Sequence, residues 1–192
     1  MGGGLYLATD APEGLNRLWF VGRLLDGRAG EGRAPERDLP EWLGREVLGP
    51  LPAESTRRAR RQWGLLWSQA CRRREAALLA SGPAELSARP EIPADMPDLA
   101  QAEAMGAAVF AEWWAAPTGA RLALAWIEGV LAGQIGGPLQ EALRCRGDPT
   151  FLDIVGSGAE VAGAGSRYVL AGARGIFPPR SATLQRILWP AP

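Results

Sequence analysis

The chain of 192 residues contains no histidine, no lysine and only two cysteines. Without His there is no Ser-His-Asp or Cys-His catalysis and none of the usual His-containing zinc sites. The side chain that ordinarily titrates near neutral pH is also missing. Two thiols, Cys71 and Cys145, cannot supply a four-thiolate metal or iron–sulfur site within one chain. Widely spaced and with no signal segment ahead of them, they read as reduced cytosolic thiols, so the expected compartment is the cytoplasm. Long apolar runs are lacking as well. Met1 to Leu5 has neither a basic n-region nor a sustained apolar h-region, and no secretory signal is expected. The most membrane-like stretch, Ala120 to Gly136, is interrupted by Arg121, Glu128 and Gln134 and is too short and too charged to span a bilayer. No residue cluster implies a cofactor or a metal.

What is present points to a folded chain. An apolar content of 47% with eight Trp excludes a wholly disordered polymer. The length fits one domain, residues 1–192. Charge balances at 21 basic and 21 acidic residues, every basic one an Arg. A GC-rich genome accounts for that bias, and the functional reading is bidentate recognition of carboxylate or phosphate. Zero net charge argues against a generic polyanion binder and leaves room for a local basic face.

Along the chain, Leu5 to Thr9 and Leu18 to Leu25 read as strands joined through Pro12 and Gly14, an N-terminal hairpin. Residues 26–38, with three Arg, three Gly and one Pro, read as an exposed loop. Leu39 to Leu48 is a short helix with Pro40 in its first turn and Gly49-Pro50 at its end. A long helix follows, capped by Ser55 or Thr56 and closed by Ser81-Gly82-Pro83. At 100° per residue it gathers Trp63, Leu66, Trp67, Ala70, Ala77 and Leu78 on one side, and Arg57, Arg58, Arg61, Arg72 and Arg73 on the other. Residues 83–97 form a Pro-rich linker. Asp98 caps a helix to Ala115, and Thr118 to Cys145 forms a last long helix kinked at Gly136-Gly137-Pro138. Phe151 to Val155, Glu160 to Ala162 and Arg167 to Ala171 lean toward strand, and Ser181 to Trp189 toward a short helix. The architecture expected is α+β and helix-dominated: a central helical bundle with a small β-sheet formed from N- and C-terminal hairpins.

Three constellations bear on function. Seven Arg lie between Arg57 and Arg74, along roughly 25 Å of helix at 1.5 Å per residue. Such a face is solvated, docks an acidic partner, or follows nucleic-acid phosphates. Trp63 and Trp67 lie opposite the Arg face, where they pack in a core instead of stacking on bases. Gly129 and Gly133 permit close helix packing, while Arg121 and Glu128 share an arc in which a partly buried pair could form, with Glu128 a possible general acid in an apolar pocket. The Gly156 to Gly165 segment lacks the Lys and following helix that a phosphate loop needs, so its glycines read as turns. Cys145-Arg146-Gly147-Asp148-Pro149, after the Gly129-x-x-x-Gly133 helix, resembles the closing segment of the 4-vinyl reductase domain family, which implies binding of small hydrophobic molecules. The second Cys of that pattern is absent among Thr150, Phe151 and Leu152, and no ligand residue carries over.

The reading that follows is a non-catalytic accessory, assembly or scaffold subunit docking a protein partner. Its contacts are Arg57, Arg58, Arg61, Arg72 and Arg73, with Trp113, Trp114 and Trp189 exposed until covered. A nucleic-acid-binding helical subunit using the Arg57 to Arg74 face is the first alternative. A small hydrophobic-ligand protein or enzyme built on Glu128 is the second.

Overall fold

The computed structural model describes residues 7–29, 41–81, 90–116, 121, 124–125, 129, 150–156, 161–162 and 168–172. Helix dominates these residues: α1 (Glu13–Ala29), α2 (Glu41–Val47), α3 (Ala53–Ser81) and α4 (Pro97–Ala115). The strands are short: β1 (Leu7–Asp10), β2 (Thr150–Ile154), β3 (Val161–Ala162) and β4 (Tyr168–Ala171). The chain groups into two compact units. One comprises Glu13–Arg73 and Ser87–Gly119; the other comprises Met1–Pro12, Arg74–Leu86 and Ala120–Pro192.

In the helical unit, Leu18 to Leu25 corrects the sequence expectation, because this segment is the body of α1 and not a strand. Its bulky residues suggested sheet, but Leu15, Leu18, Trp19 and Gly22 recur at i, i+3, i+4 and i+7, the helical period. Phe20, Val21, Leu24 and Leu25 are buried too. A helix apolar on nearly every side is one surrounded by other helices. Close packing is built in by two glycines. A methyl at Gly22 would overlap the Trp63 indole, and one at Gly106 would stand 2.8 Å from Leu24 Cδ1. Trp63 Nε1 donates to the Leu18 carbonyl at 2.7 Å, so the indole brings its only polar atom to a partner inside the contact.

α2 ends at Val47, one residue before the expected Leu48, and its expected first residues 39 and 40 lie outside the described residues. After it the chain turns through Leu48 and Leu51, both fully buried, with Leu51 N donating to Leu48 O at 2.9 Å. α3 begins at Ala53, ahead of the expected caps: Thr56 Oγ1 donates back to Pro52 O at 3.1 Å and caps nothing. α4 starts at Pro97 behind Met96, whose side chain makes no capping bond, so Asp98 is a first-turn residue and not the cap. Pro at the first helical position gives up no bonded N–H. The inward stripe of α4 is Leu99, Ala102, Gly106, Phe110 and Trp114, a continuous helical spacing. Phe110 meets Phe20 edge-on at 5.5 Å. Each fully buried large apolar side chain stabilises by about 1.5–3 kcal/mol.

In the other unit the strands pair in the order β1-β2-β4-β3. β1 is parallel to β2, β2 is parallel to β4, and β3 is antiparallel to β4. The expected N-terminal hairpin is therefore overturned, since β1 finds its partner at Thr150 to Asp153 and not in the adjoining segment. Residues Phe151 to Val155 are all buried, as befits a strand flanked on both edges by parallel neighbours. Beyond β2 the chain turns at Gly156, whose φ of 54° suits glycine. Residues 74–81 of α3 also belong to this unit. Of the helix expected over 118–145, Arg121, Leu124, Ala125 and Gly129 are helical; the kink at Gly136-Gly137-Pro138 and the helix expected at Ser181 to Trp189 lie outside the described residues.

Candidate docking face and buried ion-pair cluster

Helix α3 carries seven arginines against two acidic residues, Glu54 and Glu75. Its five predicted contact residues, Arg57, Arg58, Arg61, Arg72 and Arg73, are all exposed. They fall into two groups. At the N-terminal end, Arg57 pairs with Glu54 one turn earlier. Arg58 grips Asp98 through two bonds, Nε to Oδ2 at 2.8 Å and Nη2 to Oδ1 at 3.1 Å, and reaches Ser55 Oγ at 3.0 Å. The Arg57 hydrogen bond holds the Glu54 carboxyl below its ordinary range, and the Arg58 hydrogen bond does the same for Asp98. Asp98 in turn raises the Arg58 guanidinium further. These two arginines are spoken for.

Arg61, Arg72 and Arg73 are not. No carboxylate among the described residues lies within ion-pair distance of any of them. Between them stands Leu65, 67% exposed, four residues after Arg61 and seven before Arg72. At 100° per residue, Arg61, Leu65, Ser68 and Arg72 fall within an arc of about 60°. The sequence placed the arginines there but overlooked the leucine among them, although its position four after Arg61 was legible.

Trp63 and Trp67 lie on the opposite side, stacked at 5.8 Å between ring centroids. Arg60 turns toward Asp26 at 3.1 Å.

Arg74 departs from the arginine series altogether. It is buried in the unit that holds the strands. Nε donates to Asp153 Oδ2 at 2.8 Å and Nη2 to Asp153 Oδ1 at 3.1 Å, a bidentate grip, while Nη2 also reaches Asp10 Oδ2 at 2.6 Å. Tyr168 donates its hydroxyl to Asp153 Oδ2 at 3.0 Å, and Asp10 Oδ1 accepts the Ala11 N–H at 2.8 Å. The strand register sets Asp10 directly across from Asp153, so two carboxylates meet at neighbouring strands and one guanidinium answers both. Burial pushes the Asp153 carboxyl up against the opposing pull of Arg74 and Tyr168, and the adjacent Asp10 adds to the rise. A face running from Arg57 through Arg74 is thus corrected: it stops at Arg73. Helical spacing already carried the signal, because Arg74 is seven residues after Trp67, four after Ala70 and four before Leu78, on the apolar side. Every oxygen of both carboxylates has a donor, which marks the cluster as a structural tie. Its full hydrogen bonding is what makes buried charge tolerable.

The chain matches no family model, no curated protein and no solved structure.

The tryptophans expected at the surface are corrected in part. Trp114 is 7% exposed, on the inward stripe of α4, with its ring stacked 5.7 Å from Phe110. Trp113 is half-buried, stacked on Trp19 at 6.0 Å and leaning on Phe20 at 5.4 Å. The physical reason is that Trp19 and Phe20 of α1 pack on Trp113, while Trp114 lies on the inward stripe of α4 against Phe110. Trp189 and Glu128 lie outside the described residues. Arg121 is exposed, which removes its half of the partly buried pair expected with Glu128. Gly129 is exposed, and a methyl built on it meets nothing within 4 Å among the described residues; Gly133 lies outside them. Among the described residues no three His, Cys, Asp or Glu side chains gather as a metal-type cluster, and no helix is long and apolar enough to cross a membrane.

Proposed function

We propose that this protein is an accessory or assembly subunit that docks an acidic protein partner on the outward face of α3. The observation that carries the reading is the set of three exposed arginines without ion-pair partners among the described residues, Arg61, Arg72 and Arg73, around the exposed Leu65. Guanidinium groups on a solvated face attract carboxylates over about a Debye length and form bidentate bonds on contact. Without ion-pair partners among the described residues, they keep that capacity, in contrast to Arg57 and Arg58, whose bonds to Glu54 and Asp98 already use it. Apolar surface amid the charge favours protein over nucleic acid. A phosphate backbone offers Leu65 nothing, whereas protein contacts pair an apolar anchor with a polar rim. The stacked Trp63 and Trp67 sit away from the face and supply no platform for bases.

The test replaces Leu65 by a photo-crosslinking benzoylphenylalanine in the full chain and irradiates it in a nuclease-treated lysate of its source cells. The adduct protein is then purified and its binding titrated. The reading requires an adduct with an acidic contact region whose affinity falls at least tenfold with Arg61→Glu, Arg72→Glu and Arg73→Glu together, about the effect of losing 1.4 kcal/mol. Adducts insensitive to that triple reversal, or confined to nucleic acid when nuclease is omitted, overturn it.

A further inference from the structure

We infer that the docking footprint on α3 runs past the arginines to Ala76 and Leu79, and that the acidic partner brings two apolar anchors, one for each exposed leucine, on either side of its carboxylates. This rests on the docking reading above and names what the partner must carry. Among the described residues the exposed large apolar side chains are Leu65, at 67%, and Leu79, at 40%. Both belong to α3, fourteen residues apart. One helix carries them, so its own geometry sets their separation: about 21 Å along the axis and about 40° around it. Arg72 stands midway, seven residues from each, and at 100° per residue it falls between them in angle. Ala76, exposed and four residues after Arg72, continues the line without bulk.

Packing of the helix does not account for this line. α3 turns Ala59, Leu66, Ala70 and Leu78 inward, none more than 7% exposed, and Leu65 and Leu79 project from the other side. One exposed leucine is ordinary on a protein surface. Two in line, with an arginine between them that has no ion-pair partner among the described residues, make a surface that reads apolar, cationic, apolar. A partner bearing carboxylates alone satisfies Arg61, Arg72 and Arg73 and leaves both leucines in water. Charge complementarity fixes the occupant: a second copy of α3 brings seven arginines against two acidic residues and is repelled. The footprint closes at its N-terminal end, where Arg57 and Arg58 are taken by Glu54 and Asp98. Covering a leucine contributes in proportion to the area it loses, so Leu65 is the stronger anchor and Leu79 the weaker.

The experiment uses the full chain and two synthetic peptides of identical composition, capped at both ends and labelled with fluorescein on a Gly-Gly tail. One places five Glu between two Leu; the other places both Leu together ahead of the five Glu. The Glu run repels itself and extends, at about 3.3 Å per residue, so the separated leucines of the first peptide stand roughly 20 Å apart, the span from Leu65 to Leu79. Binding is read by fluorescence anisotropy at 150 mM salt (roughly one 8 Å Debye length). The expected result is that the spanning peptide binds about fourfold tighter than the adjacent-leucine one. Leu65→Ser weakens the spanning peptide about tenfold and Leu79→Ser about fourfold, the two losses following the two exposures. Leu79→Ser changes the adjacent-leucine peptide by less than about twofold, and Leu79→Met keeps the affinity of the parent for both. Far-UV circular dichroism of each variant matches the parent, because both positions are exposed. Equal binding of the two peptides, or no loss with Leu79→Ser, overturns the extended footprint; the docking reading stands when both peptides still lose at least tenfold with Arg61→Glu, Arg72→Glu and Arg73→Glu together. Failure of both peptides, with or without binding of the chain to vesicles of anionic phospholipid, overturns both.

Discussion

Arg74 and Arg73 are adjacent in sequence and opposite in circumstance, and replacing each by Ala separates the buried role from the exposed one. Arg74→Ala removes the two bonds to Asp153 and the one to Asp10, and leaves Asp153, 1% exposed, with Tyr168 as its remaining side-chain donor among the described residues. Removing one partner of a buried pair costs about 3–5 kcal/mol, because the survivor is a desolvated charge. Arg73→Ala removes an exposed side chain and stays within about 0.5 kcal/mol. In a chain of this length about 1 kcal/mol moves the melting temperature by roughly 2–4 °C, so Arg74→Ala lowers it by about 6–20 °C. The assay is urea unfolding followed by far-UV circular dichroism and by Trp fluorescence, with the midpoint compared at constant slope. Arg74→Met with Asp153→Asn and the corresponding single variants complete a cycle in which the double loss is smaller than the sum of the singles. An Arg74→Ala cost under about 1 kcal/mol, or additivity in the cycle, refutes the account of a buried charge held by its partners.

Gly22→Ala forces its methyl into the Trp63 indole and costs about 1–3 kcal/mol, whereas Gly64→Ala, with open space around it, is neutral or stabilises by up to about 1 kcal/mol; thermal melts of the two distinguish close helix packing from mere helix propensity. Trp114→Ala costs about 3–5 kcal/mol by emptying its place in the aromatic layer, and acrylamide quenches this indole poorly in the intact chain. The acid limb of stability has two signs. Glu54 and Asp98 are lowered from ordinary values of 4.5 and 3.8, so their contribution is present above those values and is lost as pH falls through the lowered ones. Arg58→Gln removes the chief cause of the lowering at Asp98 and therefore flattens stability against pH below 3.8, measured by thermal melts in a pH series. Asp153 is raised above 3.8, so its contribution declines as pH climbs from there through its raised value, and the stability gap between the parent and Asp153→Asn narrows over that interval.

Much of the helical unit was legible, and the misreadings share a cause. α3 and α4 announce themselves by one-sided apolar spacing, which local periodicity reveals. α1 does not, because its apolar residues cover almost the whole circumference and a short bulky run looks alike in a buried strand and a buried helix. The exposed arginines follow from their distance from the Trp side; Arg74 does not, because charge is no proof of exposure and its helical position lies between Trp67 and Leu78. The number of tryptophans suggests surface anchors, but Trp19 and Phe20 arrive from α1 on Trp113, and Phe110 stacks on Trp114 from within α4.

From the sequence alone came the chemistry this chain is denied by its missing histidines, the two-sided character of the long helix, and the position of each exposed arginine along it. These are properties of residue type and of a 3.6-residue period, and need no distant neighbour. Only the tertiary structure decided that β1 pairs with residues 150–153, that Asp10 and Asp153 share one guanidinium, and that Arg61, Arg72 and Arg73 are left unpaired among the described residues while Arg57 and Arg58 are not. Each of those outcomes depends on which side chains arrive from far along the chain, and charge pairing is settled by a few ångströms of distance that no local pattern records.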